Sequence, residues 1–299
     1  MPKRLYLTVT ALCLCLSAAA QASFPYPAIP DSITSTQKRA EYLVCHYWDN
    51  YDFSDSTLLH IKDVAEQGFV NFIDLAQNNV DEADAYSGMK VFWNRLAGSL
   101  SDGKTKAAEK MFFMDLAEKY LYDWSSPMRN DQLYLLLARA FTETGGKDER
   151  LEWRIRQLAK NLVGKAPADI RLTTRNGKKT SLCSYKADYV VVMFYQPDCI
   201  ECRETVKRLA ELKPKDKDAS IDYIAVYPGE DIGMWKNTKL ALPDNWTDCY
   251  NTDKKIAADM IYYIRHTPSF YVISVKENKV VLKDASFSML LGFHLFDSL

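Results

Sequence analysis

One segment decides the fold of this chain, and it reads Tyr189-Val190-Val191-Val192-Met193-Phe194-Tyr195-Gln196-Pro197-Asp198-Cys199-Ile200-Glu201-Cys202. Residues 189–194 are an unbroken run of β-branched, aromatic and other apolar side chains, which is typical of a strand buried on both faces. Two cysteines in a C-x-x-C spacing follow, where the pattern predicts the start of a helix. The segment therefore predicts a buried strand that carries a redox-active pair of thiols at its end.

The positions of Cys199 and Cys202 predict a different role for each thiol. Disulfide exchange needs a thiolate, and the unpaired N–H groups and the dipole at a helix N-terminus favour that form. Cys199, at the mouth of the helix, is the predicted nucleophile, and Cys202, one turn further along, is the predicted resolving thiol. A structural disulfide and a metal knuckle are the alternatives. A zinc site would need two more Cys or His residues at ligand spacing, and none is evident, so no metal is predicted.

A second candidate element is His266-Thr267-Pro268, which stands directly before a run typical of a strand, residues 269–274. Proline at the entrance to a central strand interrupts ladder pairing unless it forms a cis turn. We therefore predict a cis turn at Thr267-Pro268 and a functional reason for it. His266 is a candidate to tune Cys199 or to contact a substrate, and a surface histidine without such a role is the alternative.

Around these motifs, the pattern alternates between strands and helices from about residue 164 onward. It predicts a short hairpin, then the order β-α-β-α, and finally a strand pair followed by a helix. The predicted ranges are 170–172 and 180–182 for the hairpin, 189–194, 221–227, 246–250, 269–274 and 279–282 for extended segments, and 199–212, 231–239, 254–263 and 286 onward for helices. With right-handed crossovers, this is the order of an α/β thioredoxin-like fold, placed at residues 164–299.

The chain before residue 164 has helical periodicity and predicts an all-α helical N-terminal domain, residues 23–163. The predicted helices are 36–48, 61–76, 82–96, 104–122, 131–143 and 150–162. Aromatic residues are dense near its start, at spacings more typical of a core than of a ligand groove. These residues are Tyr47, Trp48, Tyr51 and Phe53.

Length and charge limit the classes of partner. At 299 residues the chain is long enough for two domains of ordinary size. Its net charge is -1, from 38 basic and 39 acidic residues, and no long block of one sign is present. A nucleic-acid partner or an anionic-membrane partner is therefore not predicted.

Residues 1–22 have the pattern of a cleavable secretory signal peptide. Lys3 and Arg4 form a basic start, residues 5–16 an apolar core, and Ala20-Gln21-Ala22 a cleavage site, so we expect cleavage after Ala22. The apolar core is shorter than the roughly 20 residues that span a membrane. We therefore expect a periplasmic or otherwise extracytoplasmic protein without a stable membrane span, with an uncleaved anchor as the alternative.

Five cysteines remain after the predicted signal peptide, and this odd number does not fit a disulfide-stapled small domain. Cys183 and Cys249 lie in short linking or extended segments. Buried free thiols are the favoured interpretation of these two, and a second disulfide is the alternative. Cys45 beside His46 suggests a Cys/His catalytic pair, but adjacent residues on a helix point apart, so a core thiol and an interface histidine are predicted.

Further residues complete a set with the dithiol segment and Thr267-Pro268. They are Gly164, Ala166 and Pro167, Gly177-Lys178 with Ser181-Leu182, Phe194 and Pro197 before Cys199, and Trp235. As a set, they make residues 164–299 resemble the TlpA-like thioredoxin-family thiol:disulfide oxidoreductases of secreted bacterial type. Residues 42–53 resemble the start of an uncharacterised helical domain that precedes thioredoxin-like domains in secreted bacterial proteins.

The resemblance implies thiol-disulfide exchange on extracytoplasmic proteins through Cys199 and Cys202, with the reductase direction favoured. It also implies that Thr267-Pro268 packs beside the dithiol and exposes a backbone edge to an incoming peptide. No small-molecule cofactor is expected. Protein thiols and disulfides are the expected substrates, and a redox partner that the sequence does not identify resets the pair. The competing hypothesis is a redox-inactive thioredoxin-fold scaffold whose helical domain recruits a partner.

The chain departs from that family's pattern next to the dithiol. Asp198 replaces the usual Trp, Ile200-Glu201 replaces Gly-Pro or Glu-Pro, Thr205 replaces a Glu, and Lys207 replaces a helix-kinking Pro. The carboxylates of Asp198 and Glu201 disfavour a nearby thiolate, and Arg203 offsets them in part. These departures predict modest thiolate character, and they make Asp198 and Glu201 candidates for tuning the pair.

Overall fold

The computed structural model describes residues 23–61, 64–99, 103–238 and 240–296. The predicted signal peptide, residues 1–22, lies outside them. Before residue 164 the described chain is helical, and its α-helices are α1 (Thr36–His46), α2 (Ala65–Asn78), α3 (Glu82–Gly98), α4 (Gly103–Ala117), α5 (Asp131–Glu143) and α6 (Glu149–Leu158). A π-helical turn, Glu118–Tyr122, continues α4. No helix in the described ranges has the length and apolar character needed to pass through a membrane.

Capping residues and an aromatic core explain why these helices form and pack. Asp81, Asn130 and Asp148 precede α3, α5 and α6, and each side chain accepts a hydrogen bond from an N–H group of the first turn. The ring of Trp48 lies within the core, with its centroid 4.9 Å from that of Phe92. The aromatic residues predicted to form a core are all buried there: Tyr47, Trp48, Tyr51 and Phe53.

The rest of the described chain folds around a seven-stranded sheet in the order β2-β1-β5-β4-β3-β6-β7. Its strands are β1 (Arg171–Thr174), β2 (Lys179–Ser181), β3 (Tyr189–Phe194), β4 (Ile221–Tyr227), β5 (Trp246–Asn251), β6 (Ser269–Ser274) and β7 (Lys279–Ala285). The helices are α7 (Ile200–Arg208), α8 (Ile232–Asn237), α9 (Lys255–Asp259) and α10 (Phe287–Leu291). β3 lies parallel to β4 and antiparallel to β6. The predicted fold class is confirmed, because a thioredoxin-like α/β fold follows a helical N-terminal domain.

Several elements differ from the sequence prediction: α2 begins at Ala65 rather than at residue 61, α6 ends at Leu158 rather than at residue 162, and two further differences have a clear physical reason. The helix expected over 254–263 ends at Asp259, because Met260 adopts a left-handed conformation with φ of 45°. Beyond it, the buried ring of Tyr262 packs against Phe194, with centroids 5.2 Å apart, and this burial outweighs the helical pattern of the segment. Strand β7 continues past residue 282 to Ala285. The charged side chains among its last residues are buried against polar partners, and a hydrophobic pattern does not reveal such partners.

The linker between the two halves pairs with the outer edge of β7. The Gly164 N–H donates to the Val280 carbonyl at 2.8 Å, and the Val280 N–H donates to the Lys165 carbonyl at 2.9 Å. Val163 and Val280 form an isolated parallel bridge at the same place. The linker is therefore hydrogen-bonded to the sheet along this edge.

A buried ionic cluster joins the two halves. We call it the domain junction, and it consists of Tyr122, Arg129 and Asp131 from the helical half with Arg265, Lys283 and Asp284 from the C-terminal half. The Arg265 guanidinium donates to the two Asp131 oxygens at 2.9 and 3.0 Å and to Asp284 at 2.7 Å. Its side chain is 7% exposed. Burial opposes the charge of Arg265, but the carboxylates of Asp131 and Asp284 outweigh it and raise the pKa of the guanidinium.

Other bonds tie this junction to the strands and helices around it. Arg129 donates to the Asp284 carbonyl at 2.6 Å, and Lys283 Nζ donates to the Leu158 carbonyl at 2.5 Å. Burial lowers the pKa of Lys283 to about 8. The Ser269 hydroxyl donates to Asp284 Oδ1 at 2.7 Å. Since Ser269 is the first residue of β6, the junction holds the strand that begins directly after Pro268.

Candidate active site

Strand β3 leads to Cys199 at the N-terminus of α7. Residues 190–194 are buried, and the chain leaves the sheet after Phe194 and turns through Pro197 into the helix. Cys199 is the N-cap of α7, and its Sγ accepts a hydrogen bond from the Cys202 N–H at 3.0 Å. An N–H group directed at this sulfur can stabilise negative charge that develops on it during exchange.

Cys202 lies one turn further into the helix and differs from Cys199 in its exposure. Cys202 is fully buried, whereas Cys199 is partly exposed, and both are free thiols. Burial, together with hydrogen bonding to Cys199, raises the pKa of the Cys202 thiol to about 12. The accessible sulfur is therefore the one that the sequence predicts as the nucleophile, and the protected sulfur is the one that it predicts as the resolving thiol.

The peptide bond between Thr267 and Pro268 is cis, and it lies beside the dithiol. The Cys199 thiol donates to the Thr267 carbonyl at 3.3 Å. Pro268 is buried, whereas Thr267 is partly exposed. The solvent-facing part of this segment therefore lies at Thr267, next to the Cys199 sulfur. The structure thus brings together Cys199, Cys202, Thr267 and Pro268, which the sequence singled out from segments far apart along the chain.

The residues predicted to tune the pair lie on the solvent side of the site. Asp198 is exposed, and the side chains of Glu201 and His266 are 60% and 42% exposed. Glu201 Oε2 lies 3.5 Å from His266 Nε2, which joins the first turn of α7 to the segment before the cis bond. Ile200, between the cysteines, is 69% exposed. Water screens these charges, so each of them affects the sulfur only modestly.

A polar network beneath the β3–α7 turn was missed by sequence reasoning. Asp248 on β5 accepts hydrogen bonds from the Tyr195 hydroxyl at 2.8 Å, from Trp235 Nε1 at 3.0 Å and from Arg175 Nε at 2.6 Å. Tyr195 is fully buried and is the first residue after β3. Its anchored hydroxyl fixes the start of the turn that carries Cys199. Only Trp235 stood out in the sequence, because no spacing rule connects its partners.

The helical half also reaches the edge of the site. Trp124, in the turn after the π-helical segment, stacks on His266 with ring centroids 5.5 Å apart and planes inclined by 20°. The Arg129 guanidinium lies 4.4 Å from the centroid of the same indole. Sequence reasoning missed Trp124, since its partner belongs to the other half and nothing in the local pattern marks it.

A groove of about 410 Å³ opens next to Thr267. Its walls are mainly apolar and come from α9 and the segment after it, including Ile256, Met260 and Ile264. Gln196 lies at the same groove, close in sequence to Cys199. The groove offers space for a side chain of a polypeptide bound at the dithiol.

The remaining cysteines lie elsewhere and are free thiols. The prediction that Cys183 is buried is wrong: it is exposed, because Leu182 takes the inward position of a short 3-10 turn and the Cys183 N–H donates to Asp169 at 2.9 Å. Cys249 is buried, and burial raises its pKa to about 12. Cys45 is partly buried, while the adjacent His46 contacts Asp49 at 2.9 Å. Within the described ranges, no three His, Cys, Asp or Glu side chains are grouped so that they could hold a metal ion.

Comparison with known families divides the chain in two. Residues 4–162 match the family described as a domain of unknown function, DUF5106, over more than half of the 299 residues. The chain belongs to the DUF5106 family. Residues 163–282 match the AhpC/TSA family, so an AhpC/TSA thioredoxin-like domain follows the helical DUF5106 domain. No curated protein matches the chain.

Solved structures similar to this DUF5106 protein include three from Bacteroides species. A thioredoxin-like protein from Bacteroides caccae is 29% identical, with a TM-score of 0.78, over 90% of this chain and 96% of that one. A conserved protein of unknown function from Bacteroides fragilis is 28% identical over 44% and 97% of the chains, with a TM-score of 0.40. The thioredoxin domain of a thiol-disulfide oxidoreductase from Bacteroides vulgatus is 22% identical over 43% of this chain and 92% of that one, with a TM-score of 0.36.

Proposed function

We propose that the protein exchanges thiols and disulfides on extracytoplasmic proteins, with Cys199 as the nucleophile, Cys202 as the resolving thiol and reduction of the substrate as the direction. One observation carries the proposal, namely the unequal exposure of the two sulfurs. Cys199 Sγ is partly exposed, held by a helix N–H group at 3.0 Å and 3.3 Å from the Thr267 carbonyl, while Cys202 is fully buried behind it. The AhpC/TSA match supports the same chemistry.

The reaction has two exchange steps. In the first, the Cys199 thiolate attacks one sulfur of a substrate disulfide, which breaks; a mixed disulfide forms, and the other substrate sulfur leaves and is protonated. In the second, the Cys202 thiolate attacks Cys199 Sγ, so that an intramolecular disulfide forms and the first substrate sulfur leaves and is protonated. The substrate gains two electrons and two protons, and the Cys199–Cys202 pair loses them. A dithiol reductant outside the chain then returns both.

The second step requires the buried thiol to lose its proton. Burial is the main reason for the raised pKa of Cys202, and the hydrogen bond with Cys199 adds to it. When Cys199 enters the mixed disulfide, it no longer presents a thiol or thiolate to Cys202. The contribution of the hydrogen bond with Cys199 then disappears. The pKa of Cys202 therefore falls at the stage at which its thiolate is needed.

The extracytoplasmic setting rests on the signal-peptide pattern of residues 1–22. Mass spectrometry of the protein from a cell-envelope fraction tests it, and we expect a mature N-terminus at Ser23. Recovery of the full chain from the cytoplasm would contradict this part of the proposal and leave the exchange chemistry in place.

Trapping of mixed disulfides tests the exchange chemistry. We expect Cys202→Ser to accumulate disulfide-linked substrate proteins on non-reducing gels, because attack proceeds and resolution does not. Cys199→Ser should accumulate none and lower the exchange rate at least about a thousandfold. Cys183→Ser is the matched control, since it removes an exposed thiol away from the site, and it should behave as the wild type.

Titration of the wild type in glutathione buffers, with thiols alkylated at equilibrium, should show Cys199 and Cys202 interconverting together between dithiol and disulfide. A pair that never interconverts over the physiological range, or adducts that depend on Cys183, would overturn the proposal.

A further inference from the structure

The turn that carries Trp124 connects the helical domain to the dithiol through a short series of contacts. Trp124 stacks on His266, and His266 is the residue before Thr267, whose carbonyl contacts Cys199 Sγ. On its other side, His266 lies 3.5 Å from Glu201, within the C-x-x-C segment. Two side-chain contacts therefore connect an indole of the helical half to the first turn of α7.

The turn around Trp124 is held in place by its own hydrogen bonds. The Asp123 carboxylate accepts from both the N–H and the hydroxyl of Ser125, at 2.8 and 2.6 Å. The Ser126 hydroxyl donates to the Tyr120 carbonyl at 2.6 Å. These bonds fix the backbone on both sides of the indole, so Trp124 does not need to be ordered when a partner binds.

The same turn is fastened to the frame that holds Pro268. Arg129 lies against the Trp124 ring and donates to the Asp284 carbonyl at 2.6 Å, and the Asp284 carboxylate holds Ser269. Trp124 and the cis segment are therefore positioned by one cluster. The indole is only partly buried, so part of it faces solvent beside the exposed ring of His266.

We propose that Trp124 is a specificity-determining residue: it packs against the polypeptide that flanks the target disulfide, so that protein disulfides react in preference to small ones. The proposal rests on the proposed thiol-disulfide exchange and names its substrate class. A preformed, partly exposed tryptophan at the rim of the candidate site offers a large apolar surface at little entropic cost. A small disulfide enters exchange at Cys199 without extending as far as Trp124.

A single-turnover comparison of two disulfides tests this role. The pre-reduced full chain is mixed with excess insulin, whose disulfides lie within polypeptide, or with hydroxyethyl disulfide, which has no flanking chain. We expect Trp124→Ala to lower the second-order rate constant with insulin about tenfold, through a higher half-saturating concentration, and to leave the rate with hydroxyethyl disulfide within about twofold. Trp124→Phe keeps an aromatic surface and should restore most of the insulin rate.

Tyr42→Ala is the matched control for loss of a histidine-stacked aromatic ring. Tyr42 stacks on His46 with centroids 4.1 Å apart, on α1, which packs against α2 and α3. The Tyr42→Ala variant should react with insulin and with hydroxyethyl disulfide at the rates of the wild type. Thermal unfolding verifies that each variant is folded. If Trp124→Ala does not fold, Trp124→His, which keeps a ring against His266 and Arg129 but loses most of the apolar surface, should show the same selective loss.

The outcomes separate the two proposals. If Trp124→Ala slows both disulfides equally, or neither, the wild type still exchanges thiols and only the role of Trp124 is overturned. If the pre-reduced wild type reacts with neither disulfide, the proposed exchange itself fails, and the role of Trp124 fails with it.

Discussion

The segment 265–269 has ion pairs on both of its sides, and the two sides differ in exposure. At the dithiol, His266 meets Glu201 at 3.5 Å with side chains 42% and 60% exposed. At the domain junction, Arg265 meets Asp131 and Asp284 at 2.9 and 2.7 Å, with exposures of 7%, 13% and 0%. Neighbouring residues of one loop thus take part in a solvent-screened contact and in a buried network.

This difference in exposure distinguishes the charges beside Cys199 from the charges that hold the loop in place. Exposed charges beside Cys199 can change in number or sign at little cost to stability, because water screens them. The buried pairs at the junction must stay complete, because a lone buried charge is strongly unfavourable. The C-terminal half therefore carries the two sulfurs of the candidate site, while the helical half supplies part of the frame that holds the loop beside them.

Breaking the junction is expected to have the largest effect on stability. Asp131→Asn removes one carboxylate from Arg265, and we expect the free energy of unfolding in urea to fall by about 3 kcal/mol. Glu204→Gln is the control, since it breaks an exposed pair with Lys207 on α7, and it should cost less than about 1 kcal/mol. Equal losses for the two variants would show that burial does not distinguish these pairs.

On the dithiol side, the pH dependence of resolution tests the burial of Cys202. Burial, the main reason for the raised pKa of Cys202, remains in the mixed disulfide, so the thiol should be mostly protonated at neutral pH and the rate should follow its small thiolate fraction and rise about tenfold per pH unit. Stopped-flow measurement on a preformed mixed disulfide at Cys199 should show an increase of about a hundredfold from pH 6 to pH 8. A plateau within that range would mean that the thiolate is already stabilised in the mixed disulfide.

Lys283 makes the junction sensitive to pH. Its folded-state pKa of about 8 is below the ordinary value of 10.5, so the folded protein binds this proton less tightly than the unfolded chain does. The resulting penalty is full below about pH 8 and disappears as the pH rises toward 10.5. We expect the wild type to gain of the order of 2 kcal/mol relative to Lys283→Met between about pH 7 and pH 10, measured by urea unfolding.

The control for Lys283→Met is Lys279→Met on the same strand. Lys279 is 38% exposed and pairs with Glu277, so its removal should leave the pH dependence of the wild type almost unchanged. If the Lys283 and Lys279 variants show the same pH profile, Lys283 is not the group that titrates.

The smallest effect is expected from the exposed charges. Glu201→Gln removes a negative charge near Cys199 and favours the reduced form, so we expect the reduction potential to rise by about 10 mV. Glutathione equilibria with alkylated thiols measure this shift. Glu204→Gln, one turn further along α7, is the matched control and should change the potential less; an equal change would show that position at the helix N-terminus is irrelevant.

Local pattern was enough to predict the core of the site. The apolar run of β3 gives the strand, the C-x-x-C spacing gives the N-terminus of α7, and Pro268 before β6 gives the cis turn, because each feature depends on neighbouring residues. The helix expected over 254–263 was too long, since burial of Tyr262 is a tertiary effect. Cys183 was misplaced for a similar reason, because one residue in a short turn decides which side chain faces inward.

Contacts between the two halves could not be predicted in this way. Arg265 and Asp131 are far apart in sequence, and each looks like an ordinary surface charge until the fold brings them together. Trp124 and His266 are likewise distant in sequence and are brought into contact only by the fold. The pattern therefore locates the candidate sulfurs, whereas the contacts that support them, including the hydrogen bond of Tyr195 to Asp248, become visible only in the three-dimensional structure.

The pairing of the linker with Val280 determines how much of the sheet edge is exposed when the C-terminal half is separated from the helical half. The other outer strand of the sheet, β2, is three residues long and begins at exposed Lys179, features that discourage pairing with another chain. β7 is longer, and residues 163–165 occupy backbone groups along its outer edge. A fragment that begins after Lys165 would uncover the N–H and carbonyl groups of Val280 and leave that part of the edge open to a second copy. The linker thus covers a part of the sheet edge that would otherwise be free to pair with another strand.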